Sequence, residues 1–220
     1  MPNRASAPVI VLDGPAGAGK STVAREVAHR LGLSFLDTGA IYRAITLAML
    51  RGDVPPQDTP ALRLRLRDFR ISFRGGRVFL GDEDVSEAIR TPEIDDNVSP
   101  YSALPVVRES LLDIQRSQAG NGLVAEGRDM GTVVFPDANL KIFLTASAEA
   151  RAKRRFDERV AKGEPADYDE ILSAIRKRDK IDSSREVAPM KPAKDSIIFD
   201  TTSFTFEQVV EKILGYAANL

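Results

Sequence analysis

The sequence predicts an α/β fold built on a parallel sheet, and three observations predict it. Short continuous apolar runs at residues 9–12, 34–36, 123–125, 141–144 and 197–199 read as strands buried on both faces. Helical patterns lie between several of these runs, and strands alternating with helices mean a parallel sheet. Finally, Gly14-Pro15-Ala16-Gly17-Ala18-Gly19-Lys20-Ser21 follows the first run and opens the first helical pattern. That is a G-x-x-x-x-G-K-S phosphate-binding loop in its required setting, strand before and helix after.

In chain order, Val23, Val27 and Leu31 recur every four residues, and Gly32 closes that first helix. The run Leu36-Asp37-Thr38-Gly39-Ala40-Ile41-Tyr42-Arg43 leaves the second strand and starts another helix. Residues 51–60, with three prolines, read as a surface connection. Arg63, Arg65, Arg67 and Arg70 read as a charged helix face rather than an RNA site. Residues 69–74 alternate apolar and polar, Gly75-Gly76 follows, and residues 77–81 return, which describes a β-hairpin with a glycine turn. Its aromatics Phe69, Phe73 and Phe79, at strand spacing, read as core ahead of a base-stacking wall. Residues 106–118, 148–161, 168–180 and 206–214 read as helices. The hairpin is half-exposed by pattern, so residues 40–102 read as an insertion carried on a core of residues 1–39 and 103–220.

The formal net charge of −1 argues against a broad nucleic-acid or membrane surface. The absence of cysteine excludes disulfides and thiolate metal sites and fits a cytoplasmic protein. The start, Met1 to Pro8, shows no apolar signal core, and no apolar stretch approaches membrane-spanning length. The single histidine, His29, falls near the end of the first helix, where the dipole favours it.

The phosphate loop states its own chemistry. Glycines let successive backbone N–H groups turn inward on an anion, and the following helix sets its positive end behind it. Lys20 can reach the outer phosphates of a bound nucleotide, and the Ser21 hydroxyl can ligate Mg²⁺. Asp37 reads equally as a helix N-cap or as a group holding Mg²⁺ waters. Glu126-Gly127-Arg128-Asp129-Met130-Gly131-Thr132 leaves its strand as the loop does, placing Arg128 and Asp129 at the carboxyl ends of the strands, where doubly wound sheets bind ligands.

The stretches GPAGAGKST, LDTGAIYRA, EDVSEAIRT, EGRDMGTVVFPDANLKIFLTAS and REVAP occur in order between residues 14 and 189. Together they resemble the bacterial cytidylate kinases, within the nucleoside monophosphate kinases. The resemblance implies a P-loop core with a five-stranded parallel sheet flanked by helices. It further implies an inserted monophosphate-binding domain with a small antiparallel sheet, and a short lid at about residues 151–166. It implies phosphoryl transfer from Mg-ATP to CMP or dCMP by a monomer. Gly14 to Thr22 would cradle the ATP phosphates, with Arg151, Arg154 and Arg155 reaching them from the lid. Arg43, Arg128 and Arg185 would clamp the acceptor phosphate. Ser99, Arg108 and Asp129 would read cytosine, while Arg178 and Asp182 would meet the sugar, with Thr38 nearby where some relatives carry Ser. Lys20, Arg128, Arg154 and Arg185 would carry the catalytic charge, and Ser21 and Asp37 would serve the metal.

Elementary chemistry agrees. Asp129 can accept from the exocyclic amine of cytosine and repel the carbonyl that uracil has there. An acceptor phosphate, with a second pKa near ~6, is already anionic and needs no general base. For Arg151, Arg154, Arg155 and Arg159, neighbours Glu149, Asp157 and Glu158 leave a solvated charged face as the competing reading. Two other functions compete. A hydroxyl kinase would want a carboxylate base near the loop, for which only Asp37 is an obvious candidate. A nucleotide switch would want an N-K-x-D run, which the sequence lacks.

Overall fold

The computed structural model describes residues 7–220. The expected absence of a signal core over residues 1–6, and the first six residues of the core segment 1–39, lie outside the described residues. Strand β1 (Val9–Asp13) leads through the glycine loop into α1 (Lys20–Leu31), β2 (Ser34–Asp37) and α2 (Thr38–Leu50). Then come α3 (Pro60–Asp68), β3 (Ile71–Arg74), β4 (Arg77–Leu80), β5 (Glu83–Asp84), α4 (Pro92–Ala103) and α5 (Pro105–Arg116). The chain continues with β6 (Leu123–Gly127), a π-helical turn over Met130–Val134, β7 (Leu140–Thr145), α6 (Ala148–Ala161), α7 (Tyr168–Ser184), β8 (Ile197–Asp200) and α8 (Phe206–Ala217). Helix starts follow side-chain chemistry. Asp37, Thr59, Thr91, Ser147, Asp167 and Thr205 each accept a hydrogen bond from a first-turn amide, and Thr205 forms a reciprocal capping box with Gln208. Proline opens α3, α4 and α5, where its missing N–H removes nothing.

The described chain folds as two compact units, one of residues up to 36 with 118–220 and one of residues 37–117. The first unit is built on the five-stranded parallel sheet, in the order β2-β6-β1-β7-β8. β1 lies at its centre, in parallel register with β6 from Val9↔Leu123 to Asp13↔Gly127, and with β7 from Ile10↔Leu140 to Asp13↔Phe143. All five apolar runs expected as strands are strands. On one face, Ile10, Leu12, Val124, Ile142 and Leu144 pack with Val23 and Val27 of α1 and Val210 and Ile213 of α8. A smaller cluster of Ala152, Ile171 and Ile175, with Phe156, Tyr168 and Leu172 against it, joins α6 to α7.

The second unit holds a three-stranded antiparallel sheet, β3-β4-β5. Gly75 and Gly76, both at positive φ, close the expected hairpin between Arg74 and Arg77. Phe69 is not in the hairpin; it ends α3 and is buried. β5 and α4 were not read from the sequence. Ile41, Ile45, Met49, Leu62, Ile89, Ile94, Tyr101 and Leu111 are fully buried, and the Tyr101 hydroxyl donates to the Val54 carbonyl at 2.5 Å. Among the described residues, no helix is long and apolar enough to cross a membrane.

Candidate active site

In the first unit, the loop after β1 has little freedom to be anything else. Gly14 sits at φ +142°, and a Cβ there would lie 1.9 Å from the Leu144 carbonyl oxygen, so only glycine fits. Gly19 adopts a left-handed conformation and turns the chain into α1, whose first turn carries no acidic residue and no side-chain cap. Its amides and dipole are therefore presented to an anion.

Lys20 is only 4% exposed. Its ammonium donates to the Pro15 carbonyl at 2.8 Å and lies 3.9 Å from Glu126 Oε2. Burial, reinforced by repulsion from Arg128, pushes its pKa down to about 7. Ser21 Oγ donates to Glu126 Oε1 at 2.8 Å. The Asp13 carboxylate accepts from the amides of Met130 and Gly131, each at 2.8 Å. Burial raises its pKa to about 6 against those two hydrogen bonds.

The segment after β6 brings further expected residues together. Arg128 Nε donates to Asp182 Oδ2 at 3.1 Å and its Nη1 to the Gly127 carbonyl at 3.1 Å. Arg185 Nη1 lies 3.9 Å from Asp182 Oδ1, and its Nε donates to the Asp182 carbonyl at 3.2 Å. Two guanidinium groups thus share one carboxylate, which is itself buried. Asp129 is 2% exposed at the start of the π-helical turn. Arg178 is half-buried on α7, three residues after the buried Ile175.

The arginines of α6 differ from one another. Arg154 Nη2 donates to the Thr201 carbonyl at 2.7 Å, and Arg155 is half-buried. Arg151 is buried and bonded on every side: Nε to the Ala146 carbonyl, Nη1 to the Ala16 carbonyl, each at 2.9 Å, and Nη2 to Asp179 Oδ2 at 2.6 Å.

The second unit holds the remaining expected residues. Asp37 caps α2, accepting from the Ala40 amide at 2.9 Å, with Arg90 Nη2 3.8 Å from its other oxygen. Thr38 is buried. Arg43 pairs with Asp95, and its Nη1 reaches the Ile89 carbonyl at 3.5 Å. Ser99 is buried; its carbonyl accepts from Ser102 Oγ. Arg108 is buried, donates to the Ser102 carbonyl at 3.0 Å, and stands 5.2 Å over the Tyr42 ring. Tyr42 is thus a packing residue that also faces a guanidinium.

Three residues of this site carry no role in the sequence reading: Asp13, Glu126 and Asp179. For Asp13 and Glu126 a signal existed, since each is an acidic residue within or beside a quoted motif at the carboxyl end of an apolar strand. Asp179 has none, because its partner is Arg151, 28 residues away.

Comparison with known proteins gives the family. The family model described as cytidylate kinase matches residues 10–219. The chain is 49% identical to a cytidylate kinase of Mycobacterium leprae over 94% of its own length and 93% of that protein. It is 50% identical to a cytidylate kinase of Caldanaerobacter subterraneus subsp. tengcongensis, covering 93% and 92%. Among solved structures it shares its fold with a gluconokinase from Sinorhizobium meliloti, with a TM-score of 0.51 and 15% identity over 99% of this chain and 94% of that one. At that identity the structural likeness speaks for the fold alone, whereas the match to the sequence family spans nearly the whole chain. The chain belongs to the cytidylate kinase family.

Proposed function

We propose that this protein transfers the γ-phosphoryl group of Mg-ATP to CMP or dCMP, giving ADP and the corresponding diphosphate. The observation that carries this reading is the Arg128–Asp182–Arg185 cluster, in the same unit as a glycine loop with a buried Lys20. Guanidinium forks suit a phosphate bidentately. A dianionic acceptor needs positioning and charge neutralisation rather than a base.

In this reading the amides from Gly14 to Thr22 and Lys20 hold the donor phosphates. Arg128 and Arg185 exchange their shared carboxylate for the acceptor phosphate, with Arg43 as a third guanidinium. Asp129 accepts from the cytosine amine, Ser99 and Arg108 complete base reading, and Asp182, Arg178 and Thr38 meet the sugar. Arg154 and Arg155 neutralise charge that develops on the transferring group.

The donor set suits Mg²⁺. Ser21 Oγ and the Glu126 carboxylate are hard oxygens in mutual contact, and Mg²⁺ sites in such enzymes use one or two protein oxygens, with phosphate and water completing the shell. Among the described residues no cluster of three or more His, Cys, Asp or Glu offers an all-protein cage. Bound there, the ion would offset phosphate charge. The capping bond of Asp37 occupies one of its carboxylate oxygens, so Asp37 serves the ion's waters through the other, with Glu126 as a second carboxylate beside Ser21. The reading includes a monomeric cytoplasmic enzyme without a nucleic-acid partner, in keeping with the near-neutral charge.

A coupled ADP-release assay with CMP, dCMP, UMP, AMP, GMP and shikimate tests this. Turnover with CMP and dCMP, weaker with UMP and absent with the rest, is expected. Turnover with shikimate alone, or with no acceptor, overturns the acceptor assignment.

A further inference from the structure

Arg151 is placed as no solvent-facing phosphate ligand would be. It is 4% exposed, and its guanidinium spans three elements: the Ala146 carbonyl before α6, the Ala16 carbonyl of the glycine loop, and both oxygens of Asp179 on α7, at 3.2 and 2.6 Å. Its stem runs directly against the loop, since a Cβ on Gly17 would lie 3.3 Å from Arg151 Cβ.

The bond to Ala16 matters because a peptide unit is planar and trans. Holding the Ala16 carbonyl outward aims the Gly17 N–H the opposite way. In a loop that binds anions through convergent N–H groups, a cation on an outward carbonyl fixes one donor before the ligand arrives. Asp179 fixes the cation in turn. One helical turn further along α7, Asp182 is tied to Arg128. Before acceptor binds, the helix bearing Arg178, Asp182 and Arg185 is thus pinned at two successive turns, once through the phosphate loop and once through the end of β6.

We propose that Arg151 and Asp179 form a positioning pair: Arg151 presets the donor-phosphate loop from behind, and Asp179 fastens it to the helix that carries the acceptor-site residues. Neither side chain touches substrate. This rests on the reading of residues 14–21 as the donor-phosphate loop. A second ion pair joins the same two helices without reaching the loop, Arg176 Nη2 to Glu149 Oε1 at 2.6 Å on the exposed side. It supplies the control.

The test is a double-mutant cycle with Arg151→Lys, Asp179→Asn, the combination, and Arg176→Gln. The readouts are the Kd for Mg-ATP by calorimetry without acceptor, kcat with CMP, and the thermal midpoint. Each single substitution at the pair is expected to weaken Mg-ATP binding about tenfold, the size of a typical coupling between residues in contact. The combination should be no worse than the worse single, and Arg176→Gln should match the wild type. Additive losses would overturn the proposal by showing that Arg151 acts on the nucleotide independently of Asp179. Lowered midpoints with unchanged Kd would reduce the pair to a structural tie. Because Kd is read without acceptor, failure of the pair is distinct from failure of the CMP reading, and wild-type protein that binds no Mg-ATP would overturn both.

Discussion

Lys20 offers the sharpest test of how the loop works, because its burial has a proton consequence. In the free protein its pKa is pushed down to about 7, by burial first and by Arg128 next, with Glu126 and Asp13 pulling the other way. Phosphates delivered beside it restore the advantage of the charged form. Binding Mg-ATP must therefore draw a proton from solvent wherever the free lysine is neutral. One unit above its pKa, at pH 8, about nine-tenths of the free protein lacks that proton; at pH 6, about one-tenth does. Uptake should therefore rise from about 0.1 to about 0.9 proton per Mg-ATP, and apparent affinity should fall toward about tenfold per pH unit above 7. Calorimetry in two buffers of different ionisation enthalpy reads the uptake directly. Lys20→Arg, which stays charged, should abolish the pH dependence. Uptake near zero at pH 8 in the wild type would refute the reasoning. The same depressed pKa bears on folding. Its contribution to stability is fully present above the ordinary lysine value of 10.5 and is lost as pH falls through about 7. Asp13, raised to about 6, runs the other way: its contribution is present below the ordinary value of 3.8 and lost as pH rises through about 6.

Two further outcomes follow from named contacts. Asp129→Ala should narrow the preference for CMP over UMP by about ten- to a hundredfold, the worth of a charge-assisted hydrogen bond of about 1.5–3 kcal/mol. Competing-substrate kinetics would show it, and an unchanged ratio would remove Asp129 from base reading. Gly14→Ala, forced against the Leu144 carbonyl at positive φ, should lower stability by more than about 2 kcal/mol. A denaturant midpoint equal to the wild type would contradict the close approach.

The parts legible in the sequence are those whose cause is local. The glycine loop, the hairpin at Gly75-Gly76 and the five apolar strands each depend on neighbours in the chain. β5 escaped because Glu83–Asp84 is only two polar residues long and exists by pairing with β4. α4 escaped although Thr91-Pro92-Glu93 is a good helix start, because Asp95-Asp96-Asn97 and the interior Pro100 blur its apolar period. At the site, the motifs pick out segments but not every contact within them. Glu126 meets Ser21 only because β6 pairs in parallel with β1, setting Leu12 beside Glu126. Asp13 acquires its role from two amides more than a hundred residues away. Arg151 looked like one of several equivalent lid arginines, and only the packing of α6 and α7 against the loop sets it apart from Arg154 and Arg155.

The most direct measurement of the central claim is phosphorus NMR of Mg-ATP and CMP incubated with the protein. Direct transfer predicts ADP and CDP appearing in equal amounts, with little inorganic phosphate. ADP accompanied by inorganic phosphate and no CDP would show water, not the nucleotide, as the acceptor, and would contradict the account.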